Sequence, residues 1–260
     1  METIIQPDSR EASKLAARII ARAVHEKPRT VLGFATGHTV LELYNELAEM
    51  HRKEGLDFSG VTTFNLDEYL GIPPEHPASF HSYMGTHLFS KLNIPQNRIH
   101  IPDGLAPHIP SYCRYYEDSI RSAGGIDIQI LGIGKNGHLG FNEPSSSLTS
   151  RMRIKTLTDG TRNEIAPGFG GLDKVPSHVL TLGLGSIMDS RTCLLLAFGK
   201  KKARAIAQTV EGPVTASMPG SVLQMHPRAV IIIDEEAASE LKMADYYRWV
   251  NENKPDWQKY

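Results

Sequence analysis

The sequence predicts an α/β fold with a doubly wound, mostly parallel sheet flanked by helices, and two observations carry that prediction. Short runs such as Cys193–Phe198 and Ala229–Ile233 are apolar at every position, so they need cover on both faces of a sheet. Along the chain these runs alternate with stretches whose apolar residues recur at helical spacing. That alternation is the pattern of βα winding.

The elements follow in order. Ala12, Leu15, Ala16, Ile19 and Ala23 place a helix over Ser9–Glu26. Val31–Ala35 is the first buried strand. Thr39-Val-Leu-Glu42 reads as a capping box, opening a helix with Val40, Leu43, Tyr44 and Leu47 on one face. Val61–Leu66 is the next strand. Helical stretches are expected over Ser79–Leu92 and Ile109–Ala123, and strands over Ile128–Ile133, His178–Leu182, Thr192–Phe198 and Ala229–Asp234. Ala203, Ile206, Ala207 and Val210 share a face of a helix over Lys200–Val210. A last helix runs from Glu236 to Asn253 and stops before Pro255. With no repeat, low-complexity tract or linker, residues 1–260 read as a single domain.

Composition narrows the function. The 260 residues are 40% hydrophobic and 22% charged, which excludes disorder as the main state. Lys+Arg 28 against Asp+Glu 29 leaves a net charge of −1, with no electrostatic footprint for nucleic acid or a membrane surface. No apolar stretch approaches the about 20 residues of a membrane span. The N-terminus has no signal-peptide pattern, and Cys113 and Cys193 make no disulfide framework. A cytoplasmic location is therefore expected.

In doubly wound sheets ligands bind beyond the carboxyl ends of the strands, which directs attention to four segments. Thr36-Gly37-His38-Thr39 can present free backbone N–H groups to a phosphate at a helix start. Asp67-Glu68 offers a general base, one acid facing the crevice and its neighbour pointing away. Gly132-Ile-Gly134-Lys-Asn136-Gly137-His138-Leu-Gly-Phe-Asn142-Glu143 imitates a dinucleotide fingerprint. It lies mid-chain and runs into Pro144 and serines rather than a helix, so that reading fails and a polar site remains. Lys200-Lys201-Lys202 opposes the dipole of the helix it begins, as a site for an anion would. His76, His81 and His87 do not stack on one helical face, and no cysteine lies near, so no metal site is expected.

Together Thr63-Phe-Asn-Leu-Asp-Glu-Tyr69 with Glu75-His-Pro-x-Ser79, the Gly132–Pro144 motif and Ser150-Arg-x-Arg-Ile-Lys-Thr156 resemble the glucosamine-6-phosphate deaminase (isomerase) family. The resemblance extends over essentially the whole chain. It implies a Rossmann-like fold of the sugar-phosphate isomerase type and conversion of glucosamine 6-phosphate and water to fructose 6-phosphate and ammonia, without a cofactor. His138 would open the sugar ring, oriented by Glu143, and Asp67 would carry the proton from carbon 2 to carbon 1. Thr36, Gly37, His38, Thr39 and Lys202 would hold the phosphate. Ser146, Arg153, Lys155 and Thr156 match an allosteric site that binds N-acetylglucosamine 6-phosphate between subunits of hexameric relatives, so a homo-oligomer is expected. Alternatives of the same fold are a galactosamine-6-phosphate deaminase, a 6-phosphogluconolactonase and a non-catalytic sugar-phosphate sensor. Retention of Asp67, His138 and Glu143 favours an enzyme.

Three departures from the family pattern stand out. Asn136 occupies a position where many relatives carry Asp; an amide cannot hold a proton and is left an orienting role. His38 replaces a second glycine of the phosphate turn. No arginine occurs between Arg162 and Arg191, where relatives place a phosphate-holding one, and His38 is a possible partial substitute.

Overall fold

The structure, a computed structural model, describes residues 1–260. In chain order the elements are β1 (Glu2–Gln6), α1 (Ser9–Glu26), β2 (Val31–Phe34), α2 (Leu41–Glu54), β3 (Thr62–Asn65), β4 (Asp67–Tyr69), α3 (Phe80–His87), β5 (Ile99–His100) and α4 (Ile109–Ser122). They continue with β6 (Ile128–Leu131), β7 (Arg153–Thr156), α5 (Asp159–Phe169), β8 (His178–Thr181), α6 (Leu184–Met188), β9 (Thr192–Ala197), α7 (Ala203–Val210), β10 (Ala229–Asp234) and α8 (Ala244–Glu252).

Seven strands form one parallel sheet in the order β1-β10-β9-β6-β2-β3-β5. From β2 the chain winds outward to β3 and β5, then returns to lay β6 against the other side of β2. The winding direction reverses there, and the crevice at such a reversal is where open α/β sheets bind ligands. Both faces of the sheet are covered. Leu32, Ile128, Leu194 and Ile232 pack with α1 and α2 on one side, while Leu131, Leu195 and Ile231 pack with α4 and α7 on the other. This is why the central strands are apolar at every position.

α1 spans the residues its periodicity predicts, begun by Asp8, whose carboxylate accepts from Glu11 N at 2.8 Å. Three expectations need correction. The Thr39–Glu42 capping box does not form: Thr39 lies inside a 3-10 turn over His38–Val40, and α2 begins only at Leu41 with no side-chain cap. The final helix is shorter than expected. Asp234 accepts from Ala237 N, and the Glu211 carboxylate accepts from Lys242 N and Met243 N. These carboxylates hold the 235–243 segment in turns, and α8 starts at Ala244. The 178–182 strand does not join the parallel sheet. β8 is the centre of a second, antiparallel sheet in the order β4-β8-β7, with Asp67 opposite Thr181 and Arg153 opposite Thr181 on the far side.

That second sheet sits over the carboxyl end of β3 and sets where Asp67 lies. The connection is reinforced from α4. The fully buried Tyr116 hydroxyl lies 2.9 Å from Asn65 O and 3.0 Å from His100 O, tying the ends of β3 and β5 to the helix. Removing this hydroxyl leaves buried carbonyls short of a donor. Tyr116→Phe is expected to lower the unfolding free energy by about 1–3 kcal/mol, read as a lower urea midpoint at unchanged slope.

Candidate active site

β9, β6, β2 and β3 are neighbours in the sheet, so the four segments singled out above emerge side by side. The crevice between β2 and β6 therefore has the Thr36–Thr39 turn on one flank and the Gly132–Glu143 loop on the other.

Asp67 begins β4 and is 5% exposed. Across from it runs Gly140, at φ +56°, where a Cβ would lie 2.9 Å from Thr181 Oγ1 and 3.2 Å from Asp67 Oδ2. Only glycine lets the loop approach the carboxyl this closely. Burial, and then the neighbouring charge of Glu68, push the Asp67 carboxyl well above the usual carboxylate range. Glu68 faces the other way. Its carboxylate accepts from Phe80 N and His81 N, both at 3.1 Å, and from Tyr69 N at 2.8 Å, capping α3. Burial outweighs those bonds and raises it to about 7. The two adjacent acids thus point apart, as expected, and only Asp67 faces Gly140.

His138, Asn136 and Glu143 form a connected set. Asn136 Nδ2 donates to Glu143 Oε2 at 2.6 Å, and Asn136 Oδ1 lies 2.8 Å from His138 Nδ1. An ionised carboxylate only accepts, so the amide must turn its NH2 to Glu143 and its oxygen to the ring. His138 Nδ1 must then carry a proton, and Nε2 is left with a lone pair. His138 Nδ1 is 3.6 Å from Glu143 Oε2, close enough to form an ion pair once the ring is protonated, with the amide as the bridge. Burial opposes ionisation of Glu143, but His138 and the donors Thr161 and Asn136 overcome it and hold the carboxyl at about 2. Beyond Glu143 the chain passes through Ser145 at φ +75°, the one non-glycine residue in the left-handed region, fixed by its N–H donating to Ala216 O at 2.8 Å.

The sequence reading missed Thr161 and Asn142. Thr161 Oγ1 donates to Glu143 Oε1 at 2.6 Å from the first turn of α5, a helix whose glycines and internal Pro167 disguise it in the sequence. Asn142 is fully buried and donates to Leu139 O at 2.9 Å and Leu182 O at 2.8 Å, pinning the loop to the end of β8. The motif contained Asn142, but only the fold shows what it spans.

In the turn after β2 Gly37 stands at φ +107°, and Tyr83 donates its hydroxyl to Gly37 O at 2.7 Å. Thr36 and Thr39 are half-buried, and His38 is exposed. Lys202 is held by donating to Ile133 O at 2.7 Å, and burial draws its ammonium below the usual lysine range. The lysine run is a 3-10 turn whose backbone N–H groups are capped by acids: Gly199 N donates to Asp234, and Lys200 N to Glu236.

The four regulatory candidates are not all brought together. Strand alternation puts Arg153 and Lys155 on one face of β7 and Thr156 on the other, while Ser146 is buried with its hydroxyl unpartnered. Arg153 borders a cavity of about 610 Å³ with Arg114, Arg121 and Arg151, which shares no residue with the crevice. The three histidines are dispersed: His76 stacks on Phe169, His81 lies 3.2 Å from Pro102 O, and His87 packs on Tyr83. No helix is long and apolar enough to cross a membrane.

A parallel sheet with a buried carboxyl and an imidazole–amide–carboxylate set at its switch point defines a class: α/β proteins equipped for proton transfer on a small ligand in the crevice. Residues 8–232 match the family described as glucosamine-6-phosphate isomerases/6-phosphogluconolactonase, and the chain belongs to that family. It is 50% identical over 258 residues to the glucosamine-6-phosphate deaminase of Arthrobacter sp. (strain FB24), covering 99% of each chain. It is 48% identical over 239 residues to that of Thermoanaerobacter pseudethanolicus, covering 92% of this chain and 94% of the other. A solved monomeric glucosamine-6-phosphate deaminase superposes with a TM-score of 0.90 at 42% identity, over 92% of this chain and all of the other. A 6-phosphogluconolactonase from Trypanosoma cruzi shares the fold, with a TM-score of 0.72 at 20% identity over 93% of this chain and 97% of that one.

The raised Asp67 carboxyl makes a prediction about stability. An acid whose folded pKa lies above its unfolded value of about 3.9 keeps a proton the unfolded chain has released, so stability falls as pH rises through that window. Asp67→Asn removes this cost. The variant is expected to melt above the parent at pH 7–8 and to converge with it toward pH 4, in thermal melts across that range.

Proposed function

We propose that this protein converts glucosamine 6-phosphate and water to fructose 6-phosphate and ammonia. The observation that carries the reading is the hydrogen-bond chain from Glu143 through Asn136 to His138, which leaves the imidazole Nε2 as a base while Asp67 stands across Gly140. His138 Nε2 takes the proton from the hydroxyl at carbon 1 and delivers it to the ring oxygen as the bond between carbon 1 and that oxygen breaks, which leaves an open-chain aldehyde. The imidazolium formed is stabilised by Glu143, whose carboxylate stays ionised at any working pH.

In the open chain the carbonyl at carbon 1 acidifies carbon 2. Asp67 removes that proton and returns it to carbon 1 through a cis-enolamine, one base serving both carbons. Water then hydrolyses the imine at carbon 2 and ammonia leaves. Asp67 must be ionised for its first step, although burial and then Glu68 oppose that. The ammonium at carbon 2 of the substrate supplies the opposite charge that lowers an adjacent carboxyl.

At the far end of the sugar, Thr36–Thr39 and Lys202 hold the phosphate. Arg153 and Lys155 form the anion-binding part of a regulatory site for N-acetylglucosamine 6-phosphate, with a homo-oligomer as its setting. The free, buried thiols of Cys113 and Cys193 suit a reducing cytoplasm.

Ammonia release, measured on glucosamine and galactosamine 6-phosphates in parallel, tests the reaction and the epimer together. His138→Gln is expected to lose about 10²–10⁴ in turnover on the cyclic substrate and far less on an analogue locked open; equal losses on both would contradict a ring-opening role. N-acetylglucosamine 6-phosphate is expected to lower the half-saturating substrate concentration, an effect absent in Arg153→Ala. A parent that sediments as a monomer and ignores the ligand would refute the regulatory part alone.

A further inference from the structure

The crevice needs more positive charge at its phosphate end than the assigned residues supply. Lys202 is the one assigned residue there that carries a permanent charge, and no arginine occurs between Arg162 and Arg191. A sugar phosphate brings close to two negative charges, and one half-buried ammonium already donating to Ile133 O neutralises only part of them.

A second ammonium lies in the same loop. Lys135 is two residues beyond Ile133, between the carbonyl that anchors Lys202 and the amide that orients His138. Its side chain is 57% exposed. Burial first, and the charge of Lys135 to a smaller extent, depress the Lys202 ammonium.

The acidic partner of Lys135 is Glu164. It projects from α5, one turn beyond Thr161, and its Oε1 lies 3.7 Å from Lys135 Nζ. Its charge also stabilises the Lys202 ammonium. The carboxylate thus serves both lysines from the helix that reaches Glu143 through Thr161.

We propose that Lys135 is the second phosphate-holding cation of the crevice and that Glu164 is a built-in carboxylate which the substrate's phosphate displaces. This rests on the sugar-phosphate reading above and adds a residue to it. The position of Glu164 has a further consequence. Phosphate arriving between Lys135 and Lys202 repels Glu164, and α5 carries both that acid and the Thr161 hydroxyl bound to Glu143. Occupation of the phosphate end is thereby coupled to the environment of the ring-opening pair.

The test uses the full-length protein and two readouts, steady-state kinetics on glucosamine 6-phosphate and calorimetric titration with inorganic phosphate. Lys135→Met is expected to raise both KM and the phosphate Kd about 10-fold, the lower end for a charge-assisted bond because the side chain is partly exposed, with kcat within about twofold. Lys135→Arg should restore most of the affinity. Glu164→Gln, which removes the competing anion, should tighten both constants about two- to fivefold. Unchanged phosphate affinity in Lys135→Met and in a second variant, Lys135→Gln, would overturn the proposal. So would weaker phosphate binding by Glu164→Gln, which would make Glu164 a structural partner instead of a competitor. A parent that releases no ammonia, while its phosphate affinity still depends on Lys135, would refute the deaminase reading and leave the phosphate site standing.

Discussion

The reversal of winding between β2 and β6 is the constraint on which the site depends. Strands that wind outward in both directions from one point leave their carboxyl-end loops diverging there, and the gap cannot be filled by the connection of either neighbour. The Gly37 turn and the Gly132–Glu143 loop are those diverging connections. The candidate site residues are either on them or brought to the gap by neighbouring elements. Asp67 comes from the first residue of the second sheet, Thr161 and Glu164 from α5, and Lys202 from the turn after β9.

Within that gap two carboxyls are driven in opposite directions. Asp67 is buried beside another acid and held high, whereas Glu143 is given donors from an amide, a hydroxyl and an imidazole and held low. Environments that separate the ionisation of neighbouring groups divide the work between them. In the proposed reaction Glu143 would be the lasting anion that orients and stabilises, and Asp67 the group that exchanges its proton. Asn136 makes the division possible without titrating itself. Its amide transmits the orientation of Glu143 to the tautomer of His138 through two hydrogen bonds, a service a carboxyl at that position would perform only while sharing a proton with Glu143, 2.6 Å away.

The parts of the site hardest to see in the sequence are those held by long-range partners with weak local signals. β7 reads Arg-Ile-Lys-Thr, polar on alternate positions, and becomes a strand because β8 is there to pair with it. α5 contains Gly160, Pro167 and Gly168, residues that disfavour a helix, yet it forms between the Thr158 cap and the left-handed Gly170. The expected capping box at Thr39 failed for the converse reason. Its local pattern was right, but Gly37 turns the chain into a 3-10 segment and shifts the helix start one residue onward.

The sequence by itself determined the winding, because strands apolar at every position can be buried only between two helical layers, and it named the candidate groups Asp67, Asn136, His138 and Glu143, because they stand in the motifs that follow those strands. Its periodicity also placed α1, α4 and the central strands nearly to the residue. Tertiary structure decided how those groups relate. The amide between Glu143 and His138, the approach of Gly140 to Asp67, and the pairing of Glu164 with Lys135 all join segments whose separation in space depends on strand order and on a second sheet. Hydrogen bonds and charges act over a few ångströms, and no spacing along the chain specifies such distances until the chain has folded.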